Sequence, residues 1–310
     1  MTEINLKVLE LINENKSLKE ISSILNITEK QLFIRIKNLI NYGYNMDTTY
    51  HYNSDIFYNV IKGTNINNNK KTNIIMPSNV NTFKCLVISD LHIGEENADI
   101  KLADEVYNYA IKKGINIIIN CGDIIEGDYT SDRKIINNFC DQVDYFTQKY
   151  PYDKNITNFI LLGNHDRHSL TNDGFDVARC ISNSRYDMVP IGYGNGNIKI
   201  KNDNILLYHK LHEGFKPKIE PGNKLLLSGH GHMMRTKIRD ILWLGVPTLS
   251  YKSNDKTKKV LPGFIELDIS LEHDKFEYIE AKHLVLAPDI IEMSETRCRV
   301  KNLFKENKRM

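Results

Sequence analysis

Five short apolar stretches of this chain each end on an aspartate, a histidine or an asparagine, and no other feature constrains the fold as much. The five places are Ser89-Asp90-Leu91-His92-Ile93-Gly94, Cys121-Gly122-Asp123, Gly163-Asn164-His165-Asp166, Tyr208-His209 and Gly229-His230-Gly231-His232. The segments before the first three, Phe83 to Ser89, Ile115 to Cys121 and Phe159 to Leu162, read as strands. Helix-length amphipathic stretches lie between them, at Ile100 to Lys113 and Asp132 to Tyr150. After Pro190 the pattern is almost only strands: Ile198 to Lys201, Ile205 to His209, Leu225 to Ser228, Thr236 to Leu244, Phe264 to Leu271 and Phe276 to Leu286. An α/β half followed by a β-rich half predicts a sheet sandwich flanked by helices.

The residue types at the strand ends point to metal chemistry. Asp90 and His92 are two apart, so on an extended chain both side chains leave one face. Carboxylate, imidazole and amide oxygen donors without thiolates suit borderline divalent ions such as Mn²⁺, Fe²⁺, Zn²⁺ or Ni²⁺. The interspersed glycines let the backbone turn sharply beside a crowded site.

D-x-H, GD, GNHD, H and GHGH, in that order from Asp90 to His232, resemble the calcineurin-like metallophosphoesterases over about Phe83 to Leu286. The resemblance implies a four-layer α/β/β/α sandwich and two divalent metal ions, Mn²⁺ being the first candidate. It implies that Asp90, His92 and His232 bind one ion, that Asn164, His209 and His230 bind the other, and that Asp123 bridges them. His165 would stand over the substrate and stabilise or protonate the leaving oxygen, with Asp166 hydrogen-bonding and orienting it. The implied reaction is hydrolysis of a phosphoester by metal-activated hydroxide. His168 and His212 are expected at the surface, and Glu126 and Asp128 as caps or solvent-exposed groups.

The phosphoprotein phosphatase branch carries GD-x-x-DRG and GNHE, where this chain has GDIIEGD and GNHD and so lacks the arginine that grips a phosphate monoester. DLHIG with GNHD is more similar to the phosphodiesterase and DNA-repair exonuclease branches, although the long capping segment of those nucleases is missing.

Residues 1–62 form a separate module by pattern. Apolar residues recur at helical spacing from Ile4 to Ile40, Ser17 with Glu20 and Thr28 with Gln31 form capping boxes, and Gly43 supplies a left-handed stop. Asp47 to Tyr52 and Ile56 to Ile61 read as a hairpin around Asn53-Ser54-Asp55. Three helices and a hairpin resemble a winged helix-turn-helix whose third helix carries Lys30, Arg35 and Lys37. Seven Lys/Arg against seven Asp/Glu leave the module neutral, so contact with DNA or RNA and docking to a protein both stay open.

The Asn- and Lys-rich stretch 63–79 reads as a linker, 80–290 as the phosphoesterase domain and 291–310 as a basic tail, with six Lys/Arg and two Glu from Glu295 onward. A total of 41 Lys plus Arg against 39 Asp plus Glu excludes a polycation that coats nucleic acid or membrane. No apolar run approaches the roughly 18 residues that cross a bilayer, and charges interrupt the opening MTEINLKVLE. Five scattered cysteines without CxxC spacing fit reduced thiols. The expectation is a cytoplasmic phosphodiesterase or nuclease with no membrane partner. The alternative is a phosphatase or small-nucleotide phosphodiesterase whose N-terminal module docks a protein.

Overall fold

The computed structural model describes residues 1–44, 46–52, 56–60, 72–128, 133–210, 219–220, 222–238, 240–252, 260–287 and 289–303. By contact density the chain divides into two compact units, 1–80 with 199–201, and 81–198 with 202–310.

The first unit opens with α1 (Glu3–Asn13), α2 (Leu18–Leu25) and α3 (Glu29–Asn41). Both expected capping boxes form: Ser17 Oγ accepts from Glu20 N at 3.2 Å while Glu20 returns the bond to Ser17 N at 2.7 Å. Thr28 and Gln31 do the same at 3.1 and 2.9 Å. Between the two helices Asn26 takes a left-handed turn, φ 50°. Val8, Leu11, Ile12, Leu18, Ile21, Leu32, Ile36 and Leu39 are buried, so each helix spends one stripe on a shared core. β1 (Met46–His51) and β2 (Ile56–Val60) pair antiparallel, as the hairpin reading requires, while Asn53-Ser54-Asp55 lies outside the described residues. β3 (Thr72–Ile75) pairs parallel with β1. The expected linker 63–79 is thus shorter at its C-terminal side, because Ile74 and Met76 are buried; residues 63–71 lie outside the described set.

The second unit alternates strand and helix: β4 (Thr82–Ile88), α4 (Lys101–Lys113), β5 (Ile117–Asn120), α5 (Phe139–Lys149), β6 (Thr157–Leu162), α6 (Asn164–Asp173), α7 (Val177–Ser184) and β7 (Met188–Tyr193). Strands follow: β8 (Asn195–Ile200), β9 (Asp203–Tyr208), β10 (Asn223–Ser228), β11 (Arg235–Ile238), β12 (Leu242–Gly245), β13 (Gly263–Glu272), β14 (Lys275–Leu286) and β15 (Ile290–Arg299). One sheet runs β15-β14-β13-β4-β5-β6-β7, with β4 to β7 mutually parallel; the other orders its strands β11-β12-β10-β9-β8, with β9, β10 and β12 parallel. Both sheets are mixed. β5 is buried at every residue, as a parallel strand covered on both faces must be.

Four expectations change. The helix expected from Asp132 begins at Phe139, because Asn138 Oδ1 accepts from Cys140 N and Asp141 N and stops the helix from extending back. Thr236 to Leu244 is two antiparallel strands, β11 and β12, rather than one. The basic tail 291–310 begins as the edge strand β15, since Cys298, Val300 and Leu303 are buried, and Arg297 and Arg299 pair with Glu280 and Glu277. Finally, the buried apolar residues of α4, α5 and α7 join the core on the seven-stranded sheet, whereas a smaller cluster of Leu206, Leu226 and Ile241 contains no helical residue. The fourth, helical layer of the expected α/β/β/α sandwich is not among the described residues of this unit.

The topology fixes where chemistry can occur. The segments after β4, β5 and β6 leave the carboxyl ends of adjacent parallel strands, and those after β9 and β10 leave parallel neighbours in the other sheet. Carboxyl ends of parallel strands are where open α/β sheets place their ligands. Among the described residues no helix is long and apolar enough to cross a membrane.

Replacing Ser17 with Ala removes the side-chain acceptor of one capping box, leaving only the Ser17 N bond to Glu20, and is expected to lower stability by about 1 kcal/mol. Urea unfolding of wild type and variant, followed by far-ultraviolet circular dichroism, checks it; an unchanged midpoint would show that the cap is dispensable.

Candidate metal centre

All five motif segments converge at one end of the second unit. Asp90, His92, Asp123, His209 and His232 are buried, while Asn164, His165 and His230 are half-buried. Three ring nitrogens and two carboxylates face a common point: His209 Nε2 is 2.8 Å from Asp123 Oδ2, His232 Nε2 is 3.3 Å from Asp90 Oδ1, and His92 Nε2 is 3.1 Å from His232 Nε2. Asp90, His92 and His232 can hold one cation, and Asp123, His209 and His230 another. His92, Glu126 and His165 make a third such group.

The opposite side of each ring explains its orientation. His209 Nδ1 donates to Cys121 O at 2.7 Å, His232 Nδ1 to Lys252 O at 2.9 Å, and His165 Nδ1 to Glu126 O at 2.7 Å. A carbonyl oxygen only accepts, so each Nδ1 carries a hydrogen and it is Nε2 that each ring turns inward, as a lone pair in the neutral form. His92 Nδ1 lies 2.9 Å from Glu126 Oε2, the same arrangement with a carboxylate. Imidazoles fixed from behind in this way are the usual outer support of a metal site. Asp123 Oδ2 and His209 Nε2 are close but make no hydrogen bond, and both are buried.

Charge points the same way. Burial opposes ionisation of Asp123, yet His209, His165 and His92 outweigh it and hold the carboxyl far below the usual range. Burial disfavours charge on His209 too, but Asp123 and Asp90 raise it to about 9. The centre therefore attracts positive charge, and a proton on His209 competes with a metal for the same lone pair. Burial pushes His92 down to about 4 and His230 likewise to about 4, which keeps both rings available as ligands.

The backbone here is unusual. Asp90, His92, Asp123, His230 and His232 have φ of 57, 53, 53, 67 and 52°, all left-handed. The extended geometry expected for Asp90-x-His92 is thus replaced by two left-handed turns, which bring both side chains inward. Such a residue costs roughly 1–2 kcal/mol, and Asp and His tolerate the region better than most side chains. Two glycines are required by approach rather than by torsion alone: a Cβ on Gly163 would overlap the Asp123 carboxylate, and one on Gly122 would overlap the His209 ring.

Two carboxylates tie the motif segments together. The Asp166 carboxylate accepts from Gly163 N at 2.7 Å and from Ile124 N and Ile125 N at 3.0 Å, tying the GNHD turn to the segment after Asp123. Burial and the nearby Asp123 push its carboxyl up to about 7. Glu126, expected at the surface or as a cap, is 2% exposed and takes the place behind His92. It also stands 3.6 Å from His165 Nδ1 and 2.5 Å from Lys252 Nζ. Burial opposes its charge, but His92, His165 and Lys252 hold the carboxyl at about 2.

Sequence reasoning missed the segment Thr248 to Lys252. Thr248 Oγ1 and Ser250 Oγ donate to Asp90 O at 2.7 and 3.0 Å, securing that left-handed turn, and Lys252 adds its carbonyl behind His232 and its ammonium beside Glu126. The apolar-run-then-ligand pattern could not reveal it, since none of these residues is a motif type; the Glu three residues after Asp123 was the one available signal for Glu126. His168 stays on α6 with its ring against Asn172 Nδ2, Asp128 is exposed near Lys134, and His212 lies outside the described residues.

On α3, Lys30 and Lys37 share a face with the exposed Ile34, and Lys37 Nζ sits 5.3 Å from the Phe33 ring centroid. Arg35 lies roughly 160° round the helix from Lys37, so the three basic residues do not form one surface.

The family model for calcineurin-like phosphoesterases matches residues 83–285. No curated protein matches the chain. Among solved structures, it is similar to Vps29 from Cryptosporidium parvum (15% identity, TM-score 0.44, 71% of this chain and 100% of that one). It is also similar to Vps29 complexed with Zn²⁺ from Entamoeba histolytica (15% identity, TM-score 0.40, 70% of this chain and 99% of that one). A third is YfcE, a phosphoesterase from E. coli (14% identity, TM-score 0.42, 69% of this chain and 98% of that one).

Asp166→Ala strands three buried N–H donors and is expected to lower stability by about 2–4 kcal/mol. Chemical denaturation checks it. A fully stable variant with depressed turnover would instead assign Asp166 the expected role of orienting His165.

Proposed function

The chain belongs to the calcineurin-like phosphoesterase family and is a hydrolase of phosphoester bonds, and from that premise we propose a two-metal phosphodiesterase that acts on nucleic acid. The convergence of inward Nε2 lone pairs on Asp90 and Asp123 carries the metal part of this reading. Asp90, His92 and His232 would hold one ion and Asn164, His209 and His230 the second, with Asp123 shared between the two sites. Mn²⁺ fits this oxygen and nitrogen donor set. When bound, the ions supply Lewis acidity, lowering the pKa of a water and neutralising charge on the phosphate oxygens.

The chain's own groups do the rest. His165 is half-buried at the edge of the centre with its Nδ1–H fixed by Glu126 O, so its Nε2 faces the centre and, once it carries a proton, is the group placed to pass it to the leaving oxygen. Glu126 positions both His92 and His165 and balances Lys252. The absence of the monoester-gripping arginine from GDIIEGD favours a diester. The three helices and hairpin of the first unit, with Lys30 and Lys37 on one exposed face, support an address on DNA or RNA. Five free cysteines agree with a reducing, cytoplasmic setting. The neutral charge of residues 1–62 favours a second reading, a phosphatase or small-nucleotide phosphodiesterase whose first unit docks a protein.

Two variants separate ligand from proton donor. Asp123→Ala is expected to abolish Mn²⁺-dependent hydrolysis of bis-p-nitrophenyl phosphate and to lower metal content. His165→Ala should cut turnover about 10²–10⁴-fold with metal content unchanged. Elemental analysis beside the rate assay checks both; loss of an ion in His165→Ala would make His165 a ligand. For the first unit, Lys30→Glu with Lys37→Glu should weaken retention of labelled DNA and flatten its salt dependence. Equal retention by wild type and variant at every salt concentration would favour the docking reading.

A further inference from the structure

Beside His230 lies a concavity lined by Ser228, His230, Met233, Arg235, Trp243 and Gly245. Trp243 is the chain's single tryptophan. Its Nε1 donates to Ser228 Oγ at 2.7 Å, and its ring packs against Leu206, Leu226 and Ile241. The indole is therefore fixed in plane and has spent its one donor, so what it offers a ligand is ring surface. Strand register sets Lys237 opposite Trp243 and Arg235 opposite Gly245. Lys237 Nζ lies 4.5 Å and the Arg235 guanidinium carbon 6.0 Å from the indole centroid. A Cβ on Gly245 would come within 2.9 Å of the Arg235 Cβ, so the glycine keeps the concavity open on that side.

Arginine over an aromatic ring also occurs at Tyr278, but there Arg297 and Arg299 are paired with Glu280 and Glu277. Arg235 and Lys237 have no carboxylate within ion-pair distance among the described residues. Lysine on an edge strand also guards against unwanted pairing, which accounts for Lys237 but not for a preorganised indole beside an exposed guanidinium. A fixed aromatic surface rimmed by unpaired cations is the combination that takes a nucleobase and its phosphate, by stacking that tolerates any base.

We propose that this groove is a nucleoside subsite: the base next to the scissile diester stacks on Trp243, and the flanking phosphate meets Arg235 and Lys237. The proposal rests on the diesterase reading and adds to it the part of the substrate recognised.

The test uses the full chain and two readouts. With Mn²⁺, thymidine 5′-(p-nitrophenyl phosphate) and methyl p-nitrophenyl phosphate share a leaving group and differ in the nucleoside. Wild type is expected to prefer the nucleoside diester, and Arg235→Ala to lower that ratio of kcat/KM values about tenfold. Trp243→Phe, which keeps an aromatic face, should retain most of the preference, whereas Trp243→Ala should lose it. Independently of turnover, the fluorescence of Trp243 reports occupancy in EDTA. Saturable quenching by thymidine 5′-monophosphate supports a mononucleotide source. Quenching by a ten-residue oligothymidylate alone, weakened by salt, supports a polynucleotide. Quenching without hydrolysis of either diester would keep the subsite and sink the diesterase reading. Hydrolysis with an equal preference in wild type and Arg235→Ala, and no quenching by either probe, overturns the subsite.

Discussion

Two buried carboxylates, Asp90 and Asp123, face imidazole rings with no Lys or Arg side chain between them among the described residues, and the surrounding structure is arranged to hold that charge in place. Left alone, buried anions of this kind would take up protons. Instead, neighbouring imidazoles keep Asp123 ionised and load His209 with affinity for a positive charge. The proposed metal ions satisfy the same demand more fully than a proton does, because each accepts several lone pairs at once. The five left-handed residues, the threefold backbone grip of Asp166 and the hydroxyls of Thr248 and Ser250 are all costs or supports of that arrangement.

Strain and ligand type coincide here. Asp and His are both the donors a borderline cation needs and the side chains that tolerate a positive φ. A ligand placed on a regular strand end would point along the sheet normal, away from a site that lies beyond the strand. A left-handed turn at the ligand itself redirects the side chain over the end of the sheet. The same turns need close neighbours, which is why Gly122 and Gly163 lie against the His209 ring and the Asp123 carboxylate.

This coincidence explains what was legible in the sequence. Apolar runs ended by ligand-type residues gave the strands and the segments that meet, since burial and chemistry leave separate marks on adjacent residues. The capping boxes of α2 and α3 were equally plain, because each needs only two residues at a fixed spacing. Backbone conformation at Asp90 and His92 was not legible, as alternation along a strand and a pair of left-handed turns place the same letters two apart. The partners of Glu126 and the backbone contacts of Asp166 were not legible for a related reason: proximity in sequence to a motif does not say which way a carboxylate faces. Asp166 turns back onto three N–H groups, while Glu126 reaches His92, thirty-four residues earlier. The β15 strand was hidden by its basic composition, which its pairing with β14 and its ion pairs absorb.

The missing arginine acquires a physical meaning from Lys252. A guanidinium grips a phosphate monoester because its planar fork meets two oxygens at once. Lys252 brings one cation to the same neighbourhood, but Glu126 holds its ammonium at 2.5 Å, and an ammonium is a point charge rather than a fork. A phosphate dianion is therefore poorly provided for on the protein side of this centre. A diester carries one charge fewer and a second substituent, so it needs less of a fork and more of a surface. The fixed indole of Trp243, flanked by Arg235 and Lys237 in the concavity that His230 also lines, is the kind of surface proposed for it, and the two features favour the same class of substrate.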